Sequence, residues 1–338
     1  MLLVVVEHDR GAMAPAALEA LTHARVVAGL FGDEARVQVH AVTIGASADG
    51  LADELIAFGV DVIHQVHHDL LSDYGPESWG EVVAQAVRAM APVGVVATGT
   101  DRGNEVVAQA AARLDVAFVA NCIEVTASTG EPWQMMRVRW GGSLLERASV
   151  DGSCVLWTVA HHAVVPVVVV PVGSAVAADV REFVPELDDS HARSMVRQRV
   201  DRAAGVTLAT APVVVGGGRG VGSPVGFAPL AELAELLGGV VGCSRAVTNN
   251  GWRPHTDQVG QTGTRIAPDI YFACGISGAI QHWVGAMAAK KILAINIDRE
   301  ANMVTRADYA VIGDLHQVIP AITAEIRRRQ RSPHSQHE

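Results

Sequence analysis

The segment IYFACGISGAIQH, residues 270–282, contains a strand-to-helix transition, and the prediction of the fold starts from it. Ile270–Cys274 is an apolar run typical of a buried strand, and the glycine-containing turn that follows leads into a helical pattern over residues 283–289. In an open α/β sheet, a ligand usually binds at the carboxyl end of such a strand. The free N–H groups at the start of the next helix favour an anionic group such as a phosphate. The segment therefore predicts an α/β domain with a binding site at this turn.

Two further glycine-rich loops precede this segment. GQTG occupies residues 260–263, and GGGRG occupies residues 216–220 directly after the strand-like run PVVV. A single loop of this kind is a weak signal, because glycines often only make turns. Three such loops within one stretch of the chain favour a shared binding site.

Polar side chains follow the predicted strands of this region. They are Arg219, Ser244, Arg245, Gln261, Thr262, Ser277, Gln281, His282, Asn296 and Asp314. The arginines can face phosphates or an electron-rich ring, and the amide and carboxylate groups can bind hydroxyl groups. Glycines allow the backbone to approach a ligand closely. The set predicts a long, phosphorylated, hydroxyl-rich ligand, which is the description of a dinucleotide.

Strand and helix patterns alternate along most of the chain, which predicts mainly parallel sheets with helices on both faces. Short β-rich runs between residues 118 and 170 interrupt this alternation. The predicted fold class is α/β, with two Rossmann-like domains of which the first carries a β-rich extension. We predict an N-terminal domain over residues 1–172, a linker over 173–205, a C-terminal ligand-binding domain over 206–330 and a disordered tail over 331–338.

Composition argues against several classes of protein. The 338 residues carry a net charge of -10, which disfavours nucleic acid as a partner. The four cysteines are scattered without a CxxC pair, so neither a zinc nor a disulfide framework is predicted. The apolar stretch over residues 163–178 is short for a membrane span and contains Pro166 and Pro171. We therefore predict two short buried strands there and a cytoplasmic protein that is not integral to a membrane.

Neither a metal site nor a catalytic residue is predicted. His67–His68 and His161–His162 are adjacent pairs, and adjacent residues on a strand point to opposite faces, so a shared metal is disfavoured. No hydrolytic triad is recognisable, and no paired carboxylates occupy the loops to support general acid–base chemistry. A cofactor that carries the chemistry itself suits these residues better, and we expect a redox electron carrier rather than a substrate-converting enzyme.

The chain closely resembles the electron transfer flavoprotein α subunit, the FixB family. The specific part of the resemblance consists of VGQTG at 259–263, APDIYFACGISGAIQH at 267–282, ILAIN at 292–296 and ADYAVIGDLHQVIP at 307–320. GGGRG and the GCSRA run at 242–246 stand where the family has its upstream FAD loops. The N-terminal half matches more loosely, through LVVVEH at 3–8 and the run at 98–118.

The resemblance implies a cofactor, a partner and a set of contacts. The C-terminal domain is expected to bind FAD, and the N-terminal domain to pack on a β subunit that itself carries AMP or a second FAD. Carried over by motif, the FAD contacts are Arg219, Ser244, Arg245, Val259, Gly260, Gln261, Thr262, Ser277, Gly278, Ala279, Ile280, Gln281, His282, Asn296, Asp314 and Leu315. The resemblance further implies that Thr262 hydrogen-bonds the reactive central-ring nitrogen, that Arg245 lies over the isoalloxazine, and that His282 faces the carbonyl at its pyrimidine end.

Two functions remain open from the sequence. One is a heterodimeric carrier that takes electrons from flavin dehydrogenases to an acceptor such as a quinone oxidoreductase. The alternative is a subunit of an electron-bifurcating, NADH-oxidising complex. A stand-alone NAD-dependent dehydrogenase is disfavoured because no GxGxxG motif follows the first strand. The chain also departs from the family outside the flavin loops, notably at residues 158–162, which read TVAHH where an arginine-proline pattern is expected.

Overall fold

A computed structural model describes residues 1–32, 37–128, 130–142, 144–170, 179–197 and 206–331 of the chain. The chain divides into two compact units, residues 1–200 and residues 201–338. Each unit contains a large, mainly parallel sheet, which confirms the predicted α/β class. Among the helices of these described ranges, none is long and apolar enough to cross a membrane.

The first unit is built on a sheet with an antiparallel edge. Its elements in chain order are β1 (Leu2–Val5), β2 (His8–Asp9), β3 (Ala12–Met13), α1 (Pro15–Gly29), β4 (Val39–Ile44), α2 (Ala52–Ala57), β5 (Val62–Val66), α3 (Pro76–Met90), β6 (Gly94–Thr98), α4 (Asp101–Leu114), β7 (Phe118–Thr126), β8 (Trp133–Arg139), β9 (Leu144–Val150), β10 (Val155–Val159) and β11 (Asp179–Phe183). The described strands form a nine-stranded sheet in the order β11-β5-β4-β1-β6-β10-β7-β8-β9. β8 pairs antiparallel with β7 and β9, and this is the predicted β-rich extension.

The buried strands of this sheet explain why their sequences are continuously apolar. Leu2 and Val4 of β1 belong to the core on one face of the sheet, whereas Leu3 and Val5 belong to the core on the other. Successive side chains of a strand point to opposite faces. A parallel sheet covered by helices on both sides therefore needs apolar residues at every position.

Two parts of the chain differ from the sequence prediction. β11 lies inside the predicted linker and pairs parallel with β5, with Asp179 opposite Val62 and Phe183 opposite Val66. It is an edge strand whose residues are mostly exposed, so it has no apolar run to reveal it. The other linker residues, 171–178 and 198–205, lie outside the described residues, as does the predicted tail beyond residue 331.

The prediction of buried strands over residues 163–178 is wrong for the part that the structure describes. Residues 163–170 contain no strand, and Val165 is 81% exposed. The backbone N–H groups of Val169 and Val170 both donate to the carbonyl of Ala57. The segment therefore lies against the end of α2; Val164 packs against the core, whereas Val165, Val167, Val168 and Val169 are exposed.

The second unit has a smaller sheet that is parallel throughout. Its elements are β12 (Val213–Gly217), α5 (Ala228–Leu236), β13 (Val240–Cys243), α6 (Arg245–Asn249), β14 (Ile270–Cys274), α7 (Ile280–Ala286), β15 (Ile292–Asn296), α8 (Asn302–Arg306), β16 (Tyr309–Ile312) and α9 (Leu315–Arg331). In the described part of this unit, five strands pair in the order β13-β12-β14-β15-β16. From β12 the chain continues to β13 on one side, whereas from β14 it continues to β15 and β16 on the other side. The strand order therefore reverses between β12 and β14.

A close crossing of α3 and α4 in the first unit depends on Gly80. A Cβ atom at this position would lie 2.3 Å from Cβ of Gln109 and 3.3 Å from the carbonyl oxygen of Val106. Real Cβ atoms do not approach so closely, so the two helices pack at a distance that only glycine permits. The sequence alone gives no sign of this contact.

We expect Gly80→Ala to lower the free energy of unfolding by about 1–3 kcal/mol, because overpacking forces the helices apart. This loss should appear despite the better helix propensity of alanine. Gly29→Ala is the matched control, since a Cβ there meets nothing within 4 Å. Chemical denaturation of both variants measures the difference, and equal stability of the two would contradict the packing argument.

Candidate functional site

The site lies at the carboxyl ends of β12 and β14, where the strand order reverses. At such a switch point the two connections leave the sheet in opposite directions and open a crevice between them. GISGA follows β14, as the sequence predicted, whereas the first two glycines of GGGRG belong to β12 and only its last three residues form the loop. The site therefore belongs to the second unit, and the loops singled out from the sequence surround it.

The backbones of these two loops touch directly. The N–H of Gly218 donates to the carbonyl of Cys274 at 2.8 Å, and that of Gly220 donates to Gly275 at 3.1 Å. A Cβ at residue 218 would lie 2.1 Å from the carbonyl oxygen of Gly275, which itself has a φ of +63°. Glycine is required because only backbone fits between the loops and because L side chains rarely adopt this φ.

A third loop completes the site from the side of α7. The N–H of Gln261 donates to the carbonyl of Gln281 at 2.8 Å. A Cβ at Gly285 would lie 2.3 Å from Cα of Gly260, so the helix and the loop are also in backbone contact. These contacts fix the GQTG loop against the helix that follows β14.

Segments within residues 244–246, 258–262 and 276–282 enclose a cavity of about 120 Å³, whose lining includes no residue of GGGRG. Its lining residues are Ser244, Arg245, Ala246, Gln258, Val259, Gly260, Gln261, Thr262, Ile276, Ser277, Gly278, Ala279, Gln281 and His282. Most of the predicted contact residues are therefore brought together. Ligand pockets typically measure about 300–1,000 Å³, so this cavity can enclose only part of a dinucleotide.

Five predicted contact residues lie outside the cavity lining. Arg219 and Ile280 are exposed, at the turn after β12 and at the start of α7. Asn296 donates from Nδ2 to the carbonyl of Ile276, and Asp314 accepts the N–H of His316 at the start of α9. Leu315 is 5% exposed and packs in the core. The last three thus have structural roles, and their contact with a ligand remains a prediction.

Two guanidinium groups of the site are available for an anionic or electron-rich ligand. Arg219 and Arg245 are both exposed. No carboxylate of the described residues forms an ion pair with either, whereas Arg253 nearby in sequence pairs with Asp257 at 2.7 Å. In a chain with a net charge of -10, unpaired arginines at the end of a sheet concentrate positive potential there.

Gln258 orients the hydroxyl of Thr262, and sequence reasoning missed it. This glutamine is 1% exposed; its Nε2 donates to Thr262 Oγ1 at 2.9 Å and its Oε1 accepts from Thr248 Oγ1 at 2.7 Å. Because Thr262 Oγ1 accepts the amide hydrogen, its own hydrogen points elsewhere and can be donated to a ligand. The sequence signal was its place directly before VGQTG, but one buried glutamine is not distinctive.

Tyr271 is the second residue that sequence reasoning missed. Its hydroxyl lies 2.8 Å from Nε2 of His282, and both side chains are buried. A Cβ at Gly216 on the neighbouring strand would lie 2.4 Å from that hydroxyl, so the glycine leaves the space that it occupies. Among described residues, His282 is the hydrogen-bond partner of the phenol, which is satisfied when the hydroxyl donates to Nε2. This assignment places the imidazole hydrogen on Nδ1.

Burial decides the charge of His282. It lowers the pKa from 6.5 to about 4, while the Val259 backbone acts in the opposite direction. The imidazole is therefore neutral near pH 7. A neutral imidazole can still donate a hydrogen bond from one ring nitrogen. Within the described chain Nδ1 makes no hydrogen bond of standard geometry, and the backbone of Val259, which raises the pKa, is the acceptor with which a ligand would compete.

These features fit FAD. The flavin ring carries carbonyl and nitrogen acceptors for the hydroxyl of Thr262 and Nδ1 of His282, and the diphosphate and ribityl chain suit unpaired arginines and bare glycine backbone. The residues lining the cavity include no carboxylate. The site thus provides hydrogen-bond donors and positive charge.

We expect Tyr271→Phe to lower the free energy of unfolding by about 1–3 kcal/mol, because the buried Nε2 of His282 loses its partner. Tyr309→Phe is the control, since Tyr309 is 59% exposed on β16; there the change should stay within about 0.5 kcal/mol. Chemical denaturation provides both values. If the two variants are equally stable, the hydrogen bond does not hold the imidazole.

Comparison with protein families gives one match in each unit. Residues 2–188 match the electron transfer flavoprotein domain, and residues 207–287 match the electron transfer flavoprotein FAD-binding domain. The second match includes the loops after β12, β13 and β14. FAD is therefore the cofactor of this chain, as the resemblance implied.

Individual relatives match over almost the whole length. Electron transfer flavoprotein subunit alpha of Thermoanaerobacterium thermosaccharolyticum is 33% identical over 331 residues, covering 96% of this chain and 97% of that protein. The protein of the same name from Mycobacterium tuberculosis is 35% identical over 328 residues, covering 97% and 98%. Protein FixB of Bradyrhizobium diazoefficiens is 33% identical over 337 residues, covering 96% and 88%. The chain belongs to the electron transfer flavoprotein α-subunit family.

Proposed function

We propose that the chain is the α subunit of a heterodimeric electron carrier, which receives electrons from flavin dehydrogenases on FAD and delivers them to a downstream acceptor. The observation that carries the proposal is the cavity at the β12–β14 switch point, where donors and positive charge converge without a carboxylate. When bound there, FAD supplies the electron-transfer chemistry. The chain's residues hold it and adjust how strongly it attracts electrons.

Within this proposal each side chain has a defined task. Thr262 and Nδ1 of His282 donate hydrogen bonds to ring atoms that gain negative charge on reduction. Arg245 adds a positive charge beside the ring, while the glycine backbones of the three loops admit the cofactor. These groups favour the reduced cofactor without taking part in proton transfer, which suits a carrier better than a substrate-converting enzyme.

A β subunit is the proposed partner, and the antiparallel edge of the first unit offers apolar surface for a protein contact. Trp140, Leu144 and Leu145, around the turn between β8 and β9, are 77%, 55% and 63% exposed. Clustered exposed apolar residues commonly mark protein–protein contacts. We expect the chain without its partner to self-associate in light scattering; a well-behaved, electron-transferring monomer would contradict an obligate partner.

The function is tested by expressing the chain together with its β subunit and recording the absorbance of the purified complex. We expect flavin bands from FAD on this chain, bleached by a reduced flavin dehydrogenase and unaffected by NADH alone. Bleaching by NADH alone would overturn the simple carrier and favour the electron-bifurcating alternative. Absence of flavin bands from a folded complex would overturn the flavin-carrying role itself.

Arg245→Ala should lower the first reduction potential of bound FAD by tens of millivolts. A nearby positive charge stabilises the reduced, more negative ring, and about 59 mV corresponds to a tenfold change for one electron. Arg245→Lys keeps the charge and should retain most of the potential. Arg327→Ala is the control, because Arg327 lies on α9 and pairs with Glu232. Redox titration measures all three; an unchanged potential in Arg245→Ala would contradict this role.

A further inference from the structure

Three potential metal ligands meet in the first unit, far along the sequence from the flavin loops. Glu19 of α1 and the adjacent His161 and His162 each offer one ligand atom, and these atoms all lie within 4.8 Å of one another. Oε1 of Glu19 lies 3.7 Å from Nδ1 of His162. The two imidazole rings stack with centroids 3.7 Å apart. One carboxylate and two imidazoles are a ligand set typical of zinc.

The sequence-based argument against a metal shared by His161 and His162 does not hold. It assumed that the histidines occupy a strand and point to opposite faces, but β10 ends at Val159. The two residues lie in the following turn, where His162 has a φ of +62°. That backbone conformation brings both rings to the same side, toward α1.

Glu19 is an unusual residue for the buried face of a helix. It is 6% exposed, and its Oε2 has no hydrogen-bond partner among the described residues. A buried carboxylate is costly unless it is hydrogen-bonded, paired or coordinates a metal. Oε1 of Glu19 faces Nδ1 of His162 at 3.7 Å, which is longer than a hydrogen bond.

We propose that Glu19, His161 and His162 bind a divalent cation of the Zn²⁺ class, with water completing a tetrahedral shell. Bonds of about 2.0–2.1 Å place the ligand atoms of such a site about 3.3 Å apart, so modest rotation of the imidazoles closes the site. The ion would link α1 to the turn after β10.

The test is a titration of the full chain with its partner subunit and FAD, after removal of metals by a chelator. Calorimetry with Zn²⁺ should show one equivalent bound, and Co²⁺ should give the visible ligand-field bands of a tetrahedral site. Glu19→Gln and the double variant His161→Asn with His162→Asn should each weaken Zn²⁺ binding by at least about 10-fold. The affinity for Zn²⁺ should also decrease as the pH is lowered, because the ligands must lose their protons to bind the ion.

The matched control removes two exposed imidazoles from the second unit, with His255→Asn and His316→Asn. This double variant should bind Zn²⁺ as the native chain does. If Glu19→Gln fails to fold, the Co²⁺ spectra of the native chain and of the variant with His161→Asn and His162→Asn still test the proposal. The proposal is wrong if the native chain binds no more Zn²⁺ than the variant with His161→Asn and His162→Asn, in which case Glu19 and His162 form only an ion pair.

Discussion

The contact between the backbones of residues 218 and 275 is the constraint on which the second unit's site depends. β12 and β14 are neighbours, but their connections turn to opposite sides of the sheet, so the loops must cross where the strands end. They cross at hydrogen-bond distance, which leaves no room for a side chain at either position. A larger residue would meet a peptide carbonyl, which cannot rotate away as a side chain can. The crossing therefore fixes Arg219 on one loop and Ser277 on the other.

The sequence was sufficient to predict elements and loops wherever burial leaves a pattern. β12 and β14 are covered on both faces, so they appear as apolar runs, and their loops need glycine for steric reasons. Edge strands lack this pattern. β11 has one neighbouring strand and mostly exposed residues, so its sequence resembles a polar connector. Residues 163–170 show the opposite error. Their valines predicted buried strands, but most of them are exposed, because apolar composition does not guarantee burial.

Side-chain partnerships could not be predicted because each depends on several elements at once. The Tyr271–His282 hydrogen bond requires a strand that directs the phenol to one face, a neighbouring strand with glycine at residue 216, and a helix that returns the imidazole. None of these conditions is local in sequence. His161 and His162 show the same limit, since their rings stack in a turn that begins only after β10 has ended at Val159.

The burial of His282 has a consequence for how the protein would respond to acidity. An imidazole with an ordinary pKa gains a proton between pH 7 and 5, and a nearby redox centre would then attract electrons more strongly in acid. With its pKa near 4, His282 keeps one protonation state across that range. A change in the acidity of the surroundings within that range would therefore leave the charge of His282 beside the cofactor unaltered.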